Sequence, residues 1–288
     1  MSKIHPTAVS GFGEGTNDLY DRARPSYPAE AIHTVHSSLT SSGPLTILEP
    51  GSGTGIFTRL MLSPPSASYP KWNIGKLIGV EPSAGMRGQW EKSLVKVPQD
   101  ALMGKDVRVV DGGFDDFSKT GVKKGEVDLV VIAQAWHWCP DHDKAFREIA
   151  SYLSPTGILA FVWNLESSSA KLQTDLRALY EPYDLGSPQY YKMLWRKGFE
   201  VEAYKELFEP PAESHTEWAW GMTEDSLVDR VFSKSFMTPI HLNGQARTDF
   251  EASLRKLIRE ADKEWVDQPN GVFNFKYDTH VVIMRKKP

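Results

Sequence analysis

The stretch TILEPGSGTG, Thr46 to Gly55, decides how the chain is read. A short apolar run, LTILEP, ends in three alternating glycines, Gly51, Gly53 and Gly55. An apolar run closing on a glycine loop predicts a β-strand that hands over to a helix, here GIFTRLML, which stops before Pro64-Pro65. Further along, KLIGVEP predicts a second strand and SAGMRGQWEKSLVK a helix capped by Ser83. VRVVDG predicts a third strand. VDLVVIAQAW is apolar enough for a strand in the middle of a sheet. DHDKAFREIASYL places Ala145, Ile149 and Leu153 on one helical face, and GILAFVWN predicts a fifth strand. Strands alternating with helices imply an α/β fold with a doubly wound, mostly parallel sheet of Rossmann-like type. A ligand then sits beyond the carboxyl ends of the strands, where the strand order reverses.

The loop chemistry narrows the ligand. A phosphate-binding P-loop needs Lys-Ser/Thr after its second glycine. Ile56 and Phe57 follow Gly55 instead. A dinucleotide loop needs G-x-G-x-x-G, and the third glycine here comes one residue early. Glu49, two residues before Gly51, would also face a pyrophosphate. A carboxylate there suits a ligand with positive charge and no phosphate, and S-adenosylmethionine is one.

Glu49-x-Gly51-x-Gly53-x-Gly55 resembles motif I of the class I S-adenosylmethionine-dependent methyltransferases. The resemblance implies that the loop, with Ser52 and Thr54, admits the amino acid moiety and ribose of the cofactor. It implies that Glu81, closing strand two beside Pro82 and Met86, accepts from the ribose hydroxyls with both oxygens free. It places Gly113, Phe114 and Asp115 of VVDGGFDDF beside the adenine, although Asp115 reads equally as a solvated loop carboxylate. Gln134, Ala135 and Trp136 of AQAWHW complete the cofactor set, and that segment resembles a small-molecule branch that includes fungal trans-aconitate and cantharidin methyltransferases. Tyr20, Arg24, Pro25, Tyr27 and Pro28 of YDRARPSYP match the same branch, as do TEDSLVDRVFSKSF and the terminal YDTHVV. Tyr20 and Arg24 then close over the cofactor carboxylate, bind an anionic substrate, or simply pack their helix.

The resemblance implies methyl transfer to a small organic acceptor, at oxygen or sulfur, by direct in-line displacement. No D/N-P-P-Y/F stands after strand four, and no His or Cys cluster suggests a divalent metal. His137 is the candidate catalytic base; the alternative is a structural histidine between two tryptophans. Trp136 and Trp138 read as pocket walls or as core. Tyr27, Trp138, Trp163 and Trp195 are candidates for an apolar substrate pocket under a cap. Lone Cys139 has no evident activating partner. Two rivals stand beside this reading: a cofactor-binding protein without turnover, acting as sensor or partner, and an NAD-dependent oxidoreductase.

Of 288 residues, 40% are apolar, and the formal net charge is −4. This gives no basic footprint for nucleic acid. No apolar run reaches the roughly 20 residues of a membrane span, and the polar, Gly-rich N-terminus, which reads as mobile to about residue 20, has no signal-peptide core. A single cysteine excludes an internal disulfide. The expectation is a cytoplasmic protein, monomer or homodimer, with no nucleic-acid or membrane partner. It is read as one class I domain over 1–288, with a cofactor-binding core at 20–165 and a mainly helical cap at 166–270. Seven strands are expected in the sheet, the late ones antiparallel. In the cap, AKLQTDLRALYEPY, PQYYKMLWRKGF, EDSLVDRVFSKSFM and ARTDFEASLRKLIREADKEW all read as helices.

Overall fold

The computed structural model describes His5, Thr7, Gly11, residues 17–41 and residues 43–288. The mobile N-terminus expected from sequence lies mostly outside these residues; Asn17 already opens a helix. Five strands, β1 (Leu45–Pro50), β2 (Ile74–Val80), β3 (Asp106–Val110), β4 (Val127–Ala133) and β5 (Leu153–Glu166), pair in parallel in the order β3-β2-β1-β4-β5. The long β8 (Val272–Arg285) adds antiparallel to β5, and β6 (Ala212–Met222) adds antiparallel to β8. A short β7 (Trp265–Asp267) pairs with β8, so the sheet has eight strands where seven were expected. The order reverses between β1 and β4, which places the switch point where the glycine loop begins.

Before the sheet come α1 (Asn17–Ala23) and α2 (Ala29–Ser37). The crossovers carry α3 (Ile56–Leu62), α4 (Ala84–Leu94), the short α5 (Gln99–Leu102) and α6 (His142–Tyr152). Ser83 caps α4, its side chain accepting from the Met86 amide at 3.3 Å. β4 shows why its run is unbroken. Val130 and Ile132 pack into the core on one face, and Leu129 and Val131 into the core on the other. A strand covered on both sides has no solvent face to hold polar residues.

The cap comprises α7 (Lys171–Tyr180), α9 (Glu224–Phe232) and α10 (Gly244–Glu260), whereas α8 (Glu202–Leu207) packs beside α6 in the core of the sheet. The cap has its own apolar cluster, with Leu176, Leu227, Val231, Phe250, Leu254 and Phe275 at its centre. PQYYKMLWRKGF is not the α-helix expected from its pattern. It forms two 3₁₀ turns, Tyr190–Lys192 and Leu194–Glu200, broken at Met193 with φ +56°. A left-handed residue cannot continue a right-handed helix. β6 carries no clear sequence signal: as an edge strand it leaves Trp220 half-exposed and alternates only weakly.

Candidate active site

The glycine loop leaves β1 through Gly51, whose N–H donates to the Val80 carbonyl at 2.7 Å. The three glycines serve different ends. A Cβ on Gly53, φ +55°, meets nothing within 4 Å, because it would project into a cleft. A Cβ on Gly55 would stand 2.6 Å from the Trp90 ring. Gly55 is therefore required by helix packing, and it does not line the cleft as the motif implied. Glu81 ties the loop down: Oε2 accepts from the Gly53 amide at 3.0 Å and Oε1 from the Ser83 amide at 2.8 Å. Its two oxygens are thus not free, yet each keeps a lone pair for a further donor. Burial pushes the Glu81 carboxyl up to about 6, against those two amides.

The cleft holds about 550 Å³ beyond the ends of the first four strands. Gly51, Gly53, Glu81, Pro82 and Met86 form one wall, Gly113, Phe114 and Asp115 the far end, and Tyr20, Gln134, Ala135 and Trp138 the rest. Asp115 also takes Lys144 at 2.8 Å. A smaller cavity adjoins the cleft, lined by Tyr20, Arg24, Tyr27, Glu49, Ser52, Thr54 and Gln134. Glu49 is 1% exposed, and the Thr58 hydroxyl donates to it. Burial pushes its carboxyl up to about 8, offset in part by that hydrogen bond and by Arg59. A buried carboxyl held this high favours a cation beside it.

A third cavity, of about 90 Å³, lies under the cap and includes Tyr20, Arg24, Gln134, His137, Trp138 and Asn164. Arg177, Arg230, Lys234, Glu166, Tyr180 and Tyr190 close it from the cap side. Of these, Arg177, Arg230, Lys234, Glu166 and Tyr180 were not singled out as site residues from sequence, and the cavity is polar where an apolar one was expected. Glu166 receives Tyr180 Oη at 2.6 Å, Lys234 Nζ at 3.0 Å and Arg230 Nη2 at 3.5 Å. Burial alone would raise its carboxyl; the Lys234 and Arg230 charges outweigh that and hold it at about 2.

Gln134 and Tyr20 line all three cavities. Gln134 has φ +60°, a left-handed conformation that a non-glycine residue adopts only under constraint. Its amide donates to Val162 O at 2.8 Å, and its Nε2 donates to Asn164 O at 2.9 Å. These bonds aim the residue at the junction. His137 is buried, and the Trp163 indole N–H donates to its Nδ1 at 3.3 Å. Because an indole nitrogen only donates, Nδ1 is bare and the ring proton sits on Nε2. Burial, with the Arg24 charge, holds the imidazole down to about 3, so it stays neutral.

Three expected wall residues lie elsewhere. Trp136 is fully buried, stacked on Phe161 at 4.6 Å, and Trp163 and Trp195 pack together in the same core. None of the three lines the cleft or either of the two cavities beside it. Sequence also missed the strap on the loop. Asp21 accepts from Thr54 Oγ1 at 2.9 Å and Arg59 Nη2 at 2.6 Å, which anchors α1 over the glycines. Arg24 lies over the Tyr20 ring at 4.7 Å and donates through Nε to Ser233 Oγ at 2.9 Å.

S-adenosylmethionine fits this arrangement. The cleft reaches Asp115 and the smaller cavity beside it reaches Glu49, Gly53 leaves its space open, and the buried Glu49 carboxyl stands where the cationic end of the ligand would lie. Among the described residues no cluster of His, Cys, Asp or Glu could hold a metal ion, and no helix is long and apolar enough to cross a membrane.

Comparison with known proteins supports the same assignment. Residues 48–161 match a family described as a methyltransferase domain. An uncharacterized methyltransferase of Mycobacterium tuberculosis is 29% identical, over 86% of this chain and 85% of that one. A protein of Saccharomyces cerevisiae named as a probable S-adenosylmethionine-dependent methyltransferase is 26% identical, over 62% of this chain and 52% of that one. The structure of the cyclopropane synthase MmaA2 from Mycobacterium tuberculosis shares the fold, with TM-score 0.53 at 14% identity, over 99% of this chain and all of that one. Residues 48–161 thus match a methyltransferase domain, within a chain that has the methyltransferase-like fold and is similar in sequence to proteins named as methyltransferases.

Proposed function

We propose that the chain transfers the methyl group of S-adenosylmethionine to a small organic acceptor, at oxygen or sulfur, without a metal. The observation that carries this reading is the junction at Tyr20 and Gln134, where the cleft that fits the cofactor meets a second, smaller cavity under the cap. That second cavity gives an acceptor a place beside the cofactor.

In this reading Glu81 holds the ribose, Glu49 faces the cationic end, and Phe114 and Asp115 flank the adenine. The sulfonium supplies an activated methyl group. The protein's share is alignment of the acceptor in line with it and exclusion of water. His137 acts here as a neutral hydrogen-bond donor through Nε2, because its Nδ1 is taken by Trp163. Isothermal titration with S-adenosylmethionine and with NAD, followed by a radiolabelled methyl-transfer screen of carboxylic acids, phenols and thiols, tests the proposal. Affinity for NAD alone would refute it. Tight S-adenosylmethionine binding with no transfer to any class would favour the rival, a non-catalytic sensor. The same reading has the protein acting in the cytoplasm as a monomer or homodimer, apart from nucleic acid.

A further inference from the structure

Methylation of a hydroxyl releases a proton, and the cavity under the cap is a poor place to leave one. The guanidinium groups of Arg24, Arg177 and Arg230 at its wall repel it. Two obvious bases are engaged. Glu166 accepts from Tyr180 and Lys234 and is held at about 2, and the bare nitrogen of His137 faces Trp163. Tyr190 offers another route. Its hydroxyl stands 2.9 Å from His280 Nδ1, and His280 Nε2 stands 2.9 Å from Glu213 Oε2.

Three separate stretches of chain supply these groups. Tyr190 opens the first 3₁₀ turn and lines the cavity. His280 lies on β8, and Glu213 lies on β6 two residues before His215, the residue paired with His280. Glu213 therefore reaches His280 diagonally on one face of the sheet. The His280 ring is 0% exposed, stacked on His215 at 4.2 Å and on Trp163 at 5.8 Å, which fixes its plane. Arg196 forks onto both Glu213 oxygens, at 3.1 Å and 2.5 Å. Burial opposes the Glu213 charge, but Arg196 and His280 outweigh it and hold the carboxyl below its usual range. An ionised carboxylate only accepts. Nε2 therefore carries the ring proton, Nδ1 is bare, and the Tyr190 hydroxyl donates to it. Burial, the His215 ring and the Arg196 charge hold the imidazole below its usual range against the pull of Glu213, so the ring is neutral at pH 7. Asp278, on the same strand, takes His215 Nδ1 at 2.7 Å.

Resting on the methyl-transfer reading above, we propose that Tyr190, His280 and Glu213 form a proton relay that carries the acceptor's proton from the cap cavity to the surface. Tyr190 touches the acceptor; His280 and Glu213 act through it. The acceptor served is a phenol or alcohol, whose oxygen holds its proton at pH 7. That oxygen forms a bond to the methyl carbon while the carbon–sulfur bond breaks, its electron pair going to sulfur. The O–H grows acidic as the new bond forms, so a weak base suffices. Its proton goes to Tyr190 Oη, and the Tyr190 proton goes to His280 Nδ1. The products are a methyl ether, a neutral thioether and an imidazolium beside the Glu213 carboxylate. Glu213, its side chain 26% exposed, passes one proton to water, and a tautomer shift restores the ring.

The test uses the full chain with phenol, 4-nitrophenol (largely ionised at pH 7) and butyrate as acceptors, methyl transfer being followed by radiolabel from about pH 6 to 9. Tyr190→Phe keeps the ring and should lower the maximal rate with phenol roughly 10²-fold at pH 7, with KM and cofactor affinity unchanged. The loss should shrink as pH rises and should stay within about three-fold for 4-nitrophenol. Glu213→Gln removes the charge that favours the imidazolium, so the acid limb of the phenol profile should move to lower pH and its plateau should fall. Long-range proton–nitrogen spectra should show His280 protonated at Nε2, with an Nδ1 resonance that moves in Tyr190→Phe. Turnover confined to butyrate overturns the proposal, as does an equal Tyr190→Phe loss for both phenols at every pH, or an unmoved limb in Glu213→Gln. So does a limb that persists in Tyr190→Phe and disappears in Lys234→Gln, since burial holds the Lys234 ammonium down to about 7 and makes it the rival base. Transfer to none of the acceptors would count against the methyl-transfer reading, and the spectra would still decide the relay: a proton on Nδ1 refutes it, and one on Nε2 with the Tyr190-dependent shift supports it.

Discussion

Gly53→Val and Gly55→Ala form a pair whose outcomes should diverge. Both residues have positive φ, +55° and +80°, so each substitution carries a left-handed backbone cost of about 1–2 kcal/mol. At Gly53 the Cβ itself adds no clash, since it meets nothing within 4 Å. At Gly55 the new methyl stands 2.6 Å from Trp90 Cδ1 and 2.8 Å from its Nε1, with the ring itself 2% exposed. The indole must shift, and it now donates to Thr58 Oγ1 at 3.1 Å, so overpacking adds about 1–3 kcal/mol. At roughly 2 °C per kcal/mol for a chain of this size, Gly53→Val should lower Tm by about 2–4 °C and Gly55→Ala by about 4–10 °C. Binding should rank the other way. The valine side chain points into the cleft where the ligand would lie, and a loss above 100-fold in S-adenosylmethionine affinity is expected, about 2.7 kcal/mol or more. Calorimetry and a thermal melt on the same samples decide it. If Gly53→Val binds within three-fold of the wild type, the loop is only a turn and the cleft is not the cofactor site.

Glu81→Ala should weaken S-adenosylmethionine binding by about 2–3 kcal/mol, since charge-assisted bonds to the ribose go; an unchanged dissociation constant by calorimetry would remove Glu81 from the site. The Glu49 carboxyl, held up to about 8 by burial, is mostly protonated at pH 7, so binding of a cation there should release close to one proton at pH 7 and almost none above roughly pH 9.5. Titrations at pH 7 in two buffers of different ionisation enthalpy measure this, and buffer-independent heats would show that Glu49 does not face the cation. The same raised pKa stabilises the unliganded fold at low pH, a contribution lost as pH rises from about 4.5 through 8; Glu49→Gln should flatten that part of the Tm profile, and an unaltered profile counts against a protonated Glu49. His137→Ala should raise the acceptor KM or lower the rate by the same factor at every pH; a loss that shrinks at high pH would make His137 a base after all.

What could be read from the sequence was local. The strand–glycine–helix unit, the acidic close of β2 and the apolar β4 each occupy one continuous stretch, so their patterns survive without knowledge of the fold. Glu49, Glu81, Gly53 and Gln134 were found this way, and the structure gathers them around adjoining cavities. The cap cations were not legible. Arg177, Arg230 and Lys234 sit on α7, on α9 and just beyond it, spaced like the solvated charges of any amphipathic helix. Only tertiary packing on Glu166 brings them together. The tryptophans misled for the converse reason. An aromatic in a motif signals a wall or a core equally, and the choice depends on which way a 3₁₀ turn at Trp136–Trp138 faces.

The strap formed by α1 has a thermodynamic consequence. One short helix is fixed to the glycine loop through Asp21, to α9 through Arg22 and Asp229 at 3.2 Å, and to the segment after it through Arg24 and Ser233. Tyr20 on that helix is a wall shared by the cleft and the cap cavity. Any ligand that moves the shared wall changes the shape offered to the other ligand. The two affinities are then linked, and linkage is reciprocal: the factor by which a bound cofactor tightens the acceptor must equal the factor by which a bound acceptor tightens the cofactor. Severing the strap at Asp21 should therefore bring both factors toward one together, which makes the strength of the coupling a property of this one short helix.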